Sequence, residues 1–235
     1  MNTHTLAIAL GLVSLLIGAS LVEAQDTPAP AHTLRERCPQ VAAVVVAPSR
    51  GEVRDACHAI GQAAGFLAEH GMAPRAPVEL HLVDALPAEA ATATRTGVYL
   101  HELRRAYVLQ RSHWPQDAAP FGLPMTAELH RSAIVHEAVH AIVAEHFRNP
   151  HPDVVVHEYF AYVGQLHALE PALRELALDA AGPVPAEDLA RRLNLFVLGM
   201  NPVRFAAIAW HHWSRWGNDA RFVHALLEGD AVPAG

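Results

Sequence analysis

The chain has few charged residues and no run of basic ones. Charged side chains make up 17% of its 235 residues, and the formal net charge is −7 with histidine counted as neutral. Because nothing in the sequence could follow a nucleic-acid backbone, DNA and RNA binding have no electrostatic support. A glycine-rich phosphate loop is also missing, and with it any sign of an organic cofactor. The 51% apolar content excludes general disorder and predicts a substantial core.

Cysteine is scarce as well. Cys38 and Cys57 are the only two in the sequence, so a single disulfide can form within the chain. Disulfides persist in oxidising compartments, and this one would stabilise the fold by about 3 kcal/mol in the chain-entropy account. The alternative is a pair of buried free thiols. We expect the disulfide, because the N-terminus has the pattern of an export signal.

That N-terminal pattern is an apolar run, Leu6–Val22, followed by Glu23 and Ala24 before Gln25. It is typical of a secretory signal peptide cleaved after Ala24. The alternative is an uncleaved membrane anchor, for which a run of about 17 residues is marginal, and we favour cleavage. The sequence therefore predicts a secreted or periplasmic protein without a stable membrane span after cleavage. Residues 25–37 are rich in Pro and Ala and are predicted to be a flexible leader, and residues 38–235 a single domain.

The hydrophobic pattern of the remaining chain predicts an α+β fold. It indicates a small N-terminal mixed β-sheet with helices, then a helix that carries the site described below, then a mainly helical C-terminal half. Strands are predicted at Val41–Val46, Val78–Val83, Gly97–Leu100 and Ala106–Leu109, the last two as a hairpin. Helices are predicted at Glu52–His70, Ser132–Phe147, from Val154 onward, and at Ala172–Ala181, Ala186–Leu198, Pro202–Trp216 and Asp219–Glu228.

The pentapeptide His136-Glu-Ala-Val-His140 is the most informative stretch of the sequence. Residues four apart lie on one face of a helix, so His136 and His140 can bind one Zn²⁺ between them. Glu137 then projects beside the metal, where it can act on a water molecule. Seventeen histidines in the chain make a chance match conceivable, but the surrounding apolar segment without Gly or Pro is the helix that the motif requires.

Two residues compete to be the third ligand. Asn149-Pro-His-Pro-Asp153 is a strong turn signal before the next helix, and the arm lengths of the resulting helical hairpin, about 12 Å and 9 Å, bring Glu158 back beside His140. His146 has the spacing of the third histidine in metzincins, but Val143 stands where those proteins need a glycine to break the helix. In a continuous helix His146 lies about 240° around the axis from His140 and cannot reach the same metal. We favour Glu158.

This arrangement resembles the gluzincin branch of the zinc peptidases. The segment His157-Glu-Tyr-Phe-Ala161 is similar to the Glu-Gly-Phe-Ala segment that carries the third ligand in aminopeptidase-like gluzincins, and the similarity covers roughly residues 95–168. The resemblance implies a zincin-like fold, Zn²⁺ bound by His136, His140 and Glu158, and Glu137 as the general base.

The resemblance also raises questions about the residues around the metal. Thermolysin-like members carry an acidic residue four positions after the glutamate ligand, where this chain has Tyr162, so another residue must support the zinc-bound histidines. Tyr159, Tyr162 and His211 are candidates for stabilising an oxyanion or for that support. His157 points roughly 100° away from Glu158 on a helix and is a weak ligand candidate. In zincin folds the edge strand of the sheet lies above the zinc and holds extended substrate, and we predict that Tyr107–Gln110 is that edge.

The sequence thus predicts an exported zinc peptidase that hydrolyses peptide bonds of a peptide or protein substrate with a zinc-activated water and Glu137 as base. Two alternatives stay open. The first is a zincin-fold periplasmic binding or structural module that keeps zinc but has lost catalysis. The second is a helical scaffold in which the motif occurs by chance and binds no metal.

Overall fold

A computed structural model describes residues 33–91, 95–116 and 118–234. The predicted signal peptide and its cleavage position after Ala24 lie outside these residues. Within them the chain forms a five-stranded mixed sheet followed by a mainly helical half, which confirms the α+β class. None of the helices in the described ranges is both long and apolar enough to cross a membrane.

The elements follow in the order β1 (Leu34–Arg37), β2 (Ala43–Ala47), α1 (Arg50–Glu69), β3 (Val78–Val83), β4 (Gly97–Leu100), β5 (Arg105–Leu109), α2 (Ala127–Val143), α3 (Val154–His167), α4 (Pro171–Ala180), α5 (Leu189–Arg192), α6 (Leu195–Met200), α7 (Pro202–Trp216) and α8 (Ala220–Leu226). Two short 3₁₀ turns, Arg111–His113 and Pro120–Gly122, lie between β5 and α2.

The sheet has the strand order β1-β2-β3-β5-β4. Strands β2, β3 and β5 are parallel, and β1 and β4 are the antiparallel edges. The prediction of a flexible leader is wrong for Leu34–Arg37, which form β1. The charged sequence of β1 has no hydrophobic pattern that predicts a strand. The strand depends instead on pairing with β2 and on the ion pair of Arg35 with Glu79 of β3, whose N–O distance is 3.1 Å.

The predicted edge strand is also corrected. Tyr107 and its neighbours belong to β5, which is paired on both sides, and the edge is β4. The hairpin itself was predicted correctly. In the sheet, β5 pairs with β3 in parallel, and β4 pairs only with β5 and forms the edge. The order of the strands in the sheet therefore differs from their order in the chain.

Side-chain caps set the helix boundaries. Thr126 Oγ1 accepts from the backbone N–H of Leu129 at 3.1 Å, so α2 begins several residues before the predicted start at Ser132 and ends at Val143 instead of continuing to Phe147. The single helix predicted over 186–198 is two short ones, α5 and α6. Asn194 separates them, since its side chain caps the N-terminus of α6.

Helices α1, α2 and α3 pack side by side, with α1 and α2 also against the sheet and α7 against α3. The predicted disulfide is present: Cys38, just after β1, is bonded to Cys57 of α1 with an S–S distance of 2.02 Å. It ties the first strand to the first helix, and it suggests an oxidising environment such as the periplasm or the cell exterior.

Candidate metal centre

The two histidines of the HExxH motif lie on one face of α2. This helix is buried along most of its length, because it packs against the sheet, α1 and α3. The Nε2 atoms of His136 and His140 are 3.1 Å apart, and both side chains are largely buried. One turn of helix therefore aims two ring nitrogens at the same point.

Glu158 comes from the first turns of α3, which the side chain of Asp153 caps by accepting from the N–H of Val155 at 2.7 Å. The hairpin of α2 and α3 places Glu158 Oε2 3.4 Å from His136 Nε2, and Oε1 3.6 Å from His140 Nε2. These residues are the one group of three or more potential metal ligands that the described ranges contain. The competing candidate, His146, lies beyond the end of α2 with its Nε2 2.9 Å from the carbonyl of Ala73.

The three distances fit a metal ion. A tetrahedral ion with bond lengths of about 2.0–2.2 Å holds its ligand atoms about 3.3–3.6 Å from one another, and the observed edges are 3.1, 3.4 and 3.6 Å. Two imidazoles with one carboxylate, and a fourth position facing a cleft, are the donor set of catalytic zinc sites. Magnesium and calcium sites use mainly oxygen ligands instead.

Close approach of the two helices makes this geometry possible. Gly164 of α3 faces Val139 of α2, and a Cβ atom at Gly164 would lie 2.7 Å from Cγ2 of Val139. A residue with a Cβ atom at position 164 would therefore force Val139 or α3 to shift. The glycine brings the α3 backbone near enough to α2 for the Glu158 carboxylate to reach both histidines.

A chain of hydrogen bonds fixes the orientation of His136. The hydroxyl of Ser132 donates to the carbonyl of Leu129 at 2.8 Å, so Ser132 Oγ can only accept from Gln165 Nε2, at 3.3 Å. The Gln165 carbonyl oxygen then faces His136 Nδ1 at 3.0 Å and must accept from it. His136 therefore carries its proton on Nδ1, which leaves the lone pair of Nε2 for a metal.

His140 has a different partner. Its Nδ1 is in hydrogen-bond contact with Nδ1 of His157, the residue just before the glutamate ligand. His157 lines the cleft and also packs against Phe147, with ring centroids 5.2 Å apart. His157 was predicted only as a weak ligand candidate, and no role was predicted for Gln165. The one available signal was spacing, because positions 158, 162 and 165 share a face of α3.

The charges of the donor set suit a cation. Burial alone would raise the pKa of Glu158, but His140 and His136 beside it hold that pKa at about 2. Burial lowers the pKa of His140 well below its ordinary value. Near neutral pH Glu158 is therefore ionised and His140 neutral, as metal binding requires. Burial would lower the pKa of His136, but the carboxylates of Glu158 and Glu137 outweigh it and raise that pKa, so a metal ion would have to displace a proton from His136.

Glu137 is buried beside this set. Its Oε2 is fully enclosed and has no hydrogen-bond partner among the described residues, although most buried polar atoms have one. Burial raises its pKa to about 7. Strand β4 lies directly against it, since a Cβ atom at Gly97 would be 2.5 Å from Glu137 Oε1. A carboxylate enclosed in this way is suited to exchanging a proton with a bound molecule.

The donor set opens into a cleft of about 870 Å³. Its walls are β4 with the residues beside it, the ligand-bearing faces of α2 and α3, the loop between those helices, the segment before α2 and the start of α7. The outer side of β4 carries no further strand in the part of the chain that the structure describes. Unpaired backbone groups of an edge strand therefore border the candidate site.

Of the three candidates for oxyanion stabilisation, one lines the cleft and two lie elsewhere. Tyr162 lines the cleft, and its ring centroid is 4.7 Å from that of His136 at an interplanar angle of 75°. Tyr159 was a wrong candidate: it is fully buried on another face of α3, and its hydroxyl is 3.1 Å from His212 Nδ1. His211 was also wrong, because it is exposed and lies at a separate surface pocket with Leu178 and Gly182.

A family of unknown function, DUF6639, matches residues 43–235. The chain belongs to this family. The DUF6639 match runs from β2 to the C-terminus, so it includes α2, α3 and every residue of the candidate metal centre, and it leaves out β1 and Cys38. No curated protein and no solved structure is significantly similar to the chain.

Proposed function

We propose that this chain is an exported zinc-dependent peptidase of the gluzincin type. The observation that carries the proposal is the combination of a three-ligand set with tetrahedral spacing and an enclosed carboxylate, Glu137, in one open cleft. A site that only stabilised the fold would be closed by a fourth protein ligand, and it would need no base beside it. The disulfide supports export.

The residues divide the chemistry between them. Zinc bound by His136, His140 and Glu158 supplies a Lewis acid that lowers the pKa of water and polarises a carbonyl group. The carboxylate of Glu137 would accept the proton of the attacking water and then donate it to the leaving amine. Of the candidates Tyr159, Tyr162 and His211, Tyr162 lines the cleft, so its hydroxyl would be the donor to the developing oxyanion.

The wall formed by β4 supports a peptide substrate. An extended polypeptide can pair with the unpaired edge of a strand through main-chain hydrogen bonds, a mode of recognition that does not depend on particular side chains. Gly97 brings this edge next to Glu137. A peptide paired with β4 would therefore pass beside the general base.

The proposal is tested by metal content and hydrolysis together. Elemental mass spectrometry of the mature protein should give one zinc per chain, and Glu158→Ala should lose it or bind it far more weakly. Mass spectrometry of a mixed peptide library should show cleavage by wild type. Glu137→Gln should retain zinc while its hydrolysis drops by about 10²–10⁴-fold.

Each other outcome has a defined meaning. Zinc in the wild type without cleavage of any library peptide would favour the inactive zinc-binding module. Wild-type protein that takes up no zinc even after reconstitution would overturn the proposal. Retained hydrolysis in Glu137→Gln would remove Glu137 as the base. Sequencing the N-terminus of the exported protein tests cleavage after Ala24 separately.

A further inference from the structure

We infer that His157 is a positioning residue for the metal centre, accepting a hydrogen bond from His140 and so fixing the tautomer and ring plane of that ligand. The inference rests on the proposed function, since it assigns a role around the same metal. It also answers the question raised by Tyr162, which occupies the place of the acidic support found in thermolysin-like enzymes.

The contact between the rings has the geometry of a hydrogen bond. Their Nδ1 atoms touch, their centroids are 4.6 Å apart, and their planes are inclined by only 22°. Nearly parallel rings at this separation, with nitrogen facing nitrogen, lie side by side in almost one plane rather than face to face. The lone pair of one Nδ1 therefore points along the N–H bond of the other, as an imidazole pair requires.

The direction of the bond follows from the position of the ligand set. Nε2 of His140 faces His136 Nε2 and Glu158 Oε1, so this nitrogen must keep its lone pair for the metal. A neutral His140 then carries its proton on Nδ1 and donates it to Nδ1 of His157. His157 in turn is protonated on Nε2. Packing against Phe147 holds the accepting ring in place.

Both ligand histidines are thus supported by neutral groups. Gln165 accepts from His136, and His157 accepts from His140. Metal-bound histidines commonly donate to carboxylates, which raise the basicity of the ligand. A neutral acceptor still orients the ring but makes it a weaker electron donor. The site should therefore hold zinc less tightly than one with a carboxylate at the position of His157.

The test compares three substitutions at position 157. Asparagine keeps a neutral acceptor near the position of Nδ1, aspartate makes that acceptor negative, and leucine removes it while filling similar space. The dissociation constant for zinc is measured by competition with a chromophoric chelator, and the visible spectrum of the Co²⁺-substituted protein reports ligand geometry. His151→Leu is the matched control, because His151 is an exposed histidine that lines the same cleft.

We expect His157→Leu to bind zinc about 10–100-fold more weakly than wild type and to shift the cobalt bands. His157→Asn should stay close to wild type, His157→Asp should bind more tightly than His157→Asn, and His151→Leu should change neither readout. Wild-type affinity and spectrum in His157→Leu would overturn the inference while leaving the metal centre intact.

Folding of each variant is checked by far-UV circular dichroism without metal. If the leucine variant does not fold, the asparagine and aspartate variants decide, and equal zinc affinities for these two would overturn the inference. The inference requires His140 to be a zinc ligand. If the wild type binds no zinc, the proposed function and the inference are therefore both overturned. Wild-type binding that is lost in Glu158→Ala establishes the centre independently of position 157.

Discussion

A single glycine decides where Glu137 can lie. Gly97 of β4 lies against the carboxyl group, and a Cβ atom there would meet three atoms of Glu137 at 2.5–3.0 Å. Because Glu137 is buried, its side chain has little room to move aside. The absence of a side chain at position 97 therefore lets the strand and the Glu137 carboxyl group occupy adjacent positions.

Substituting alanine at this position should displace the carboxylate without disturbing the metal ligands. For Gly97→Ala we expect hydrolysis to fall by at least about 10-fold, toward the level of Glu137→Gln, because a general base contributes only when it is within hydrogen-bond reach of its proton. The zinc content should not change. Initial rates on a cleaved library peptide, with metal analysis of the same sample, measure both.

Val98→Ala, in the next residue of β4, is the control for general damage to the strand. Equal losses of hydrolysis in the two variants would show that the strand, rather than the space at position 97, is what matters. Unchanged hydrolysis in Gly97→Ala would contradict the role given to this glycine.

At the scale of elements, the α2–α3 hairpin shows what a sequence reveals and what it withholds. His136, His140 and Glu158 were predicted because the spacing within one helix and the arm lengths of a hairpin are local quantities. Gln165 and His157 were not, because their contacts depend on how the helices are rotated against each other. The same distinction explains β1 and the order of β4 and β5, which only pairing between distant segments determines.

The hairpin itself can be tested at Gly164. In Gly164→Ala the added methyl group meets Val139, and forcing extra volume into a packed core typically costs about 1–3 kcal/mol. We also expect weaker zinc binding, because α3 must move away from α2 and take Glu158 with it. Urea unfolding of the metal-free protein measures the first effect, and chelator competition the second.

The double variant Gly164→Ala/Val139→Ala should recover part of both losses, since it removes the atom that clashes. Gly61→Ala is the matched control. Gly61 lies inside α1 with no atom within 4 Å of an added Cβ, so alanine there should stabilise the helix slightly. If the losses of stability and zinc affinity in the double variant equalled the sum of those in the two single variants, the contact between the two helices would not be their cause.

Glu79 of β3 holds together three strands of the sheet. It pairs with Arg35 of β1 and Arg105 of β5, with both N–O distances at 3.1 Å, and it contacts His81. The hydrogen bond from Arg35 is the main reason that its pKa falls from 4.5 to about 2. A depressed carboxyl pKa adds stability above the unfolded value of 4.5 and loses it as the pH falls toward 2.

Glu79→Gln should therefore be less stable than wild type by about 1 kcal/mol at pH 6, and the difference should shrink as the pH falls from 4.5 toward 2. Urea unfolding of metal-free protein at pH 6, 4.5 and 3 gives the comparison. The exposed Glu175, which makes no ion pair among the described residues, supplies the control Glu175→Gln. A wild-type advantage that stayed constant over this pH range would rule out the ionised carboxylate as its source.

At the scale of the whole molecule, the disulfide and the candidate metal ligands join different parts of the chain. Cys38 and Cys57 join β1 to α1 across 19 residues, whereas the ligands join α2 to α3. Neither cysteine lines the cleft. Closing a loop of this length contributes about 3 kcal/mol in the chain-entropy account. Although α1 packs against α2, the hairpin of α2 and α3 has its own contacts, so we expect the metal-binding geometry to survive loss of the cross-link.

Cys38→Ser/Cys57→Ser should accordingly lower the melting temperature of the metal-free protein by roughly 5–10 °C and leave the zinc dissociation constant within about twofold of wild type. Reductant should lower the melting temperature of wild type by a similar amount and should not affect the serine variant. If zinc affinity fell together with stability, the cross-link would also have to hold the ligand helices in place, through the packing of α1 against α2 and α3. Part of the free energy of zinc binding would then depend on β1 and the disulfide.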